Sequence, residues 1–175
     1  MSSAGFWWFG FGFLLLATLV QVSFLDWIRI GPAKPDLLLI TLVWFLLDLR
    51  LASALALTLI AALLRLSITG EPTSYVLSSF LAVAFFSYWA VRQFVREDLW
   101  VEMGILGTSS LVVYTTGFIW LYPRDFFALG LAIQTFFLHV ILTSVYTLSI
   151  APFYWRWMNH FLIRCGWESF TDSME

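Results

Sequence analysis

Charge is scarce in this chain. Only 11 % of its 175 residues are Asp, Glu, Lys or Arg, against about 25 % in a typical soluble domain. The formal net charge is −2 and no polybasic cluster is present, which sets nucleic acid aside as a partner. Cys165 stands alone, so no intramolecular disulfide can form. No Cys/His spacing suggests a metal site, and no cofactor is expected. Polar stretches long enough to link two domains are missing, so one domain over 1–175 is expected. A basic leader is missing as well: the apolar stretch 6–24 lacks a positive flank and a small-residue cleavage pattern, and reads as a retained helix.

Apolar sequence fills the space that charge leaves. Hydrophobic residues make up 61 % of the chain and mean hydropathy is +0.89. The runs are too continuous for the in/out alternation of a barrel strand, and a helix satisfies its own backbone inside a bilayer. The expected fold is an all-α integral membrane protein with about six transmembrane helices in one compact bundle. The pattern places them near 6–25, 37–48, 51–64, 75–91, 103–121 and 126–150, with Pro152 closing the last. A tail over 153–165, mixing Trp155, Trp157 and Phe161 with Arg156 and Arg164, suits an interfacial helix.

The stretch 37–64 admits two readings, because Asp48 and Arg50 are its only charges. One helix of that length would run about 42 Å, too long for a hydrocarbon core of about 30 Å without strong tilt, and would bury both charges. Two short helices meeting at Asp48 to Arg50 avoid this, and the hairpin is preferred. With six helices, five Lys/Arg residues fall on the side of the chain ends and four on the other, which leans both termini to the cytoplasm.

Intramembrane catalysis needs paired groups at membrane depth. His139 is the single histidine inside an expected helix, and no His-Glu-x-x-His pattern exists. Asp26, Asp36, Asp48, Glu97, Asp98 and Asp125 all fall at helix ends or in loops, as capping or solvated charges do. No enzyme is expected. Thr135, His139, Thr143 and Thr147 repeat at four on the last helix, with Gln134 and Ser144 beside them. That polar face looks into the bundle, either bonding across to neighbouring helices or lining a pocket for a ligand or partner helix. Arg65 and Glu71 flank a turn-rich stretch where an exposed pair would contribute little.

Two segments carry a resemblance. Gly31-Pro32-Ala33-Lys34-Pro35-Asp36-Leu37-Leu38-Leu39-Ile40 follows the first helix, and Leu63-Leu64-Arg65-Leu66-Ser67-Ile68-Thr69-Gly70-Glu71-Pro72 closes the third. With its length and close-spaced helices, the chain resembles the rod shape-determining protein MreD family, which has an early Pro-Asp-Leu-Leu-Leu segment and a later Ser, Gly and Pro turn. Arg65 stands where that family commonly has Asp, and Thr73-Ser74 replaces its usual Leu-Gly. The resemblance implies a non-enzymatic scaffold of the bacterial inner membrane, part of the cell-elongation machinery. Its implied partners are MreC, MreB, RodA and a penicillin-binding transpeptidase, with no small-molecule substrate. Candidate partner-contact or structural residues are Pro35, Asp36, Asp48, Arg50, Arg65, Glu71, Thr135, His139 and Thr143. The MreD fold is also similar to the membrane substrate-binding subunits of energy-coupling-factor transporters, so a vitamin-binding subunit is the alternative.

Overall fold

A helix of ten residues sits at the centre of the molecule. In the computed structural model, which describes residues 3–24, 27, 33–94, 99–121, 134 and 136–164, helix α1 covers Ser3–Ser23 and α2 covers Leu37–Leu46. Helix α3 covers Leu51–Thr69, α4 Thr73–Gln93 and α5 Leu99–Leu121; a π-helical turn, Phe137–Ile141, leads into α6, Leu142–Arg164. Nine of the ten residues of α2 are buried. Its sequence LLLITLVWFL is apolar on every side, and a helix hydrophobic all round has no face to give to water. At about 15 Å long, α2 is roughly half a hydrocarbon core deep. Helices α1, α3, α4, α5 and α6 all pack on it.

Local chemistry sets the limits of α2. Pro35 disfavours helix before it, and Asp36 caps the first turn by accepting from the Leu39 N–H at 3.0 Å. The chain leaves the helix after Leu46 and extends at Arg50, with φ −69° and ψ 150°. Helix α3 then returns antiparallel, bringing Arg65 beside Asp36. The segment is therefore a hairpin with unequal arms, of 10 and 19 residues.

Helix α3 outruns its expected end at 64. Ser67 Oγ donates to the Leu64 carbonyl at 2.7 Å and Thr69 Oγ1 to that of Arg65 at 3.0 Å, so residues suited to a turn stay within the helix. Gly70 ends it at φ +63°, the left-handed conformation that glycine adopts without a Cβ penalty. Arg65 consequently lies on the helix and not in the loop that the sequence suggested.

The last helix differs most from expectation. It continues through Pro152 to Arg164, and the segment 153–164 is no separate tail. Proline removes one backbone donor, a loss that packed membrane helices tolerate. Ala151, Trp155, Met158 and Leu162 form a buried stripe at helical spacing. Trp155 Nε1–H donates to the Ile40 carbonyl of α2 at 3.2 Å, and the Tyr154 and Thr41 hydroxyls bond at 3.0 Å. Tertiary packing thus outweighs the proline signal.

Among the described residues, four helices are long and apolar enough to cross a membrane: Leu51–Thr69, Thr73–Gln93, Leu99–Trp120 and Leu138–Arg164. The apolar stretches Trp7–Ser23, within α1, and Leu37–Leu46 are shorter. Trp8, Leu63, Phe85, Ile119 and Phe153 face outward, a surface matched to lipid. All of this fits an all-α membrane protein.

Candidate functional site

Polar chemistry concentrates where α2 begins. The first turn of a helix has N–H groups with no intrahelical partner, and inside an apolar bundle each must find one. Thr147 Oγ1 of α6 accepts from the Asp36 N–H at 3.1 Å, and Gln21 Oε1 of α1 accepts from the Leu38 N–H at 3.2 Å. Side chains from two other helices thereby complete the cap. The Asp36 carboxylate also lies at the positive end of the α2 dipole, where negative charge is favoured.

The second carboxylate oxygen of Asp36 holds two further helices. Tyr114 Oη of α5 donates to Oδ2 at 2.9 Å, and Arg65 Nη1 of α3 donates to the same oxygen. Arg65 turns its other edge to Glu71, with Nε–H donating to Oε2 at 3.1 Å and Nη2 reaching Oε1 at 3.5 Å. Thr69 Oγ1 also lies 3.0 Å from Glu71 Oε2, so its single proton is shared between that oxygen and the Arg65 carbonyl. Arg65 is 6 % exposed and Asp36 1 %, so the pair is shielded from solvent. The expectation of a weak exposed Arg65–Glu71 pair is corrected here: Arg65 is buried between two carboxylates, and the sequence showed only the nearer one. An intramembrane charge is costly unless paired and is a mark of function by default.

A cavity of about 320 Å³ opens beside this network. Arg65, Glu71, Tyr75, Tyr114, His139 and Thr143 are among its walls. Tyr75 Oη donates to the Val113 carbonyl at 3.2 Å. Its ring lies so close to α5 that a Cβ on Gly117 would stand 2.5 Å from the phenolic oxygen and 2.8 Å from Cζ. Glycine at 117 is thus what lets Tyr75 form part of the wall.

The candidate residues divide between the two ends of the bundle. Pro35, Asp36, Arg65, Glu71, His139 and Thr143 gather at the start of α2 or around the cavity. Asp48 and Arg50 lie at the far end of α2, in its connection to α3, and take no part. Thr135 lies outside the described residues. The polar stripe on α6 does both things that its spacing allowed. Thr147 and Ser144 bond across helices, Ser144 accepting from Ser110 Oγ at 3.0 Å, while His139 and Thr143 line the cavity. Tyr114, Tyr75 and Gln21 are site residues that the sequence reading passed over. A glutamine one turn from the end of an apolar helix was the available signal for Gln21; nothing nearby in sequence singles out the tyrosines.

The network ties α1, α3, α5 and α6 to the start of α2. Among the described residues, no group of three or more His, Cys, Asp or Glu could hold a metal ion. No family model, curated protein or solved structure matches the chain, so its chemistry is read from its own residues.

Proposed function

We propose that this chain is a non-enzymatic scaffold of the bacterial cell-elongation machinery, of the MreD type. In this reading six segments thread the inner membrane, α2 together with its extended connection to α3 making the shortest crossing, and both termini lie in the cytoplasm. One observation carries the reading. The two segments behind the resemblance, 31–40 and 63–72, meet at the Asp36–Arg65 pair although 29 residues separate these two side chains. The joint pairs Asp36 of the first segment with Arg65, the position at which the second departs from the family pattern, and a buried joint of this kind fits a fixed frame against which partner helices dock.

The balance of positive residues supports this orientation. Arg50, Arg92 and Arg164 lie at the end of the bundle where α1 begins and α6 ends, and positive residues favour the cytoplasmic side. The cavity then faces outward from the cell. MreC is the expected direct partner, with RodA, the transpeptidase and MreB in the wider assembly.

Depletion in a rod-shaped host, paired with a detergent pull-down of tagged protein from native membranes, tests the proposal. Rounded or lysing cells together with recovered MreC are expected. Unchanged shape with lost vitamin uptake would contradict it, and recovery of paired ATPase subunits with a coupling membrane protein would instead identify a transporter subunit.

A further inference from the structure

The cavity beside Arg65 is built with both signs of charge and has hydrogen-bonding capacity to spare. A guanidinium carries five N–H donors. Those of Arg65 make one bond to Asp36, one to Glu71 at 3.1 Å and one long approach at 3.5 Å, which leaves donors on the two terminal nitrogens for another acceptor. Glu71 Oε2 is used twice, by Arg65 and Thr69, whereas Oε1 receives only the 3.5 Å approach. One wall therefore offers a donor fork suited to a carboxylate, and the same wall offers a carboxylate oxygen that accepts from a cation.

Charge placement narrows the choice of occupant. Arg65 stands between Asp36 and Glu71, so this wall sets a positive group directly beside negative ones. A phosphate dianion would face both carboxylates, and a simple cation would face the guanidinium. A molecule with one positive and one negative group can meet both. Val22, Ile68 and Phe118 complete the wall and suit an apolar body. The volume lies at the small end of ligand pockets, about 300–1,000 Å³. The π-helical turn that holds His139 in the wall is a local irregularity of the kind frequent at functional sites.

We infer that this cavity binds a small zwitterion, an α-amino acid with an apolar side chain. Its carboxylate meets Arg65, its ammonium meets Glu71 Oε1, and its side chain lies against Ile68 and Phe118. The site is independent of the scaffold reading: it would make the frame responsive to a small molecule without altering what docks on it.

Equilibrium dialysis of the purified full chain in lipid nanodiscs, with radiolabelled L-leucine as probe, tests the inference. The comparison compounds are 4-methylpentanoate, which lacks the amine, and isopentylamine, which lacks the acid. Saturable leucine retention is expected, with each half-ligand held at least about tenfold more weakly. Glu71→Gln should weaken leucine about tenfold while 4-methylpentanoate, an anion relieved of a neighbouring carboxylate, is held no less tightly. Should that variant fail to fold, Thr143→Leu, which narrows the cavity and spares the ion pairs, should abolish retention. No saturable leucine binding by folded protein up to about 10 mM, retention of 4-methylpentanoate equal to that of leucine, or full leucine binding by Thr143→Leu would each overturn it.

Discussion

The two ends of α2 are buried alike and held by different physics. At its start, Asp36 is fixed by directional bonds from Arg65 and Tyr114, and its own N–H by Thr147. At its close, Phe45 meets Phe13 with ring centroids 6.2 Å apart, and Phe13 meets Phe161 edge-on at 5.6 Å. Between helices in a bilayer the hydrophobic effect gives little preference, because lipid tails are as apolar as leucine. The aromatic end therefore holds α2 by shape, which neighbouring side chains can readjust. The polar end holds it in one register, because a buried charge without its partner costs several kcal/mol.

Substitutions at each end can break or sharpen that contrast, with unfolding in detergent micelles as the readout. Arg65→Leu should have the largest effect, about 3–5 kcal/mol, because it strands Asp36 and Glu71. Arg65→Lys should rescue only part of this, since an ammonium cannot match the fork that bridges two carboxylates. Gly117→Ala should come next at about 1–3 kcal/mol, by pressing a Cβ onto the Tyr75 ring. Met158→Leu, deep in the stripe of α6 toward the aromatic end, should cost less than about 1.5 kcal/mol because it conserves volume. Thr147→Val should cost least, about 0.6 kcal/mol for one interhelical hydrogen bond. A result in which Met158→Leu proved as damaging as Arg65→Leu would erase the distinction between the ends.

Local features of the fold were legible in the sequence, and long-range ones were not. Pro35-Asp36 announced the start of α2 because capping is a property of adjacent residues. Asp48 and Arg50 marked the hairpin connection because two charges inside an apolar run are costly to bury. The same rule misjudged Arg65, whose cost is offset by Asp36, 29 positions away, a carboxylate that Tyr114 in turn holds across 78 positions. Pro152 misled for a related reason, since a local helix breaker is overruled by Trp155, Met158 and Leu162 packing into the bundle. Spacing alone placed His139 and Thr143 on one face, yet only the folded chain brings that face to a cavity with Arg65 and Glu71.

The register claim rests on Asp36 and Arg65 acting as a unit, and a double-mutant cycle measures this directly. Asp36→Asn keeps a capping side chain while removing its charge, and Arg65→Leu removes the other. Unfolding free energies of the two single variants and the double variant should show the double less destabilised than the sum of the singles, by about 2 kcal/mol within the range found for contacting residues. Effects that add to within about 0.5 kcal/mol would mean that the two side chains are not coupled, and that α2 is held by packing at both ends.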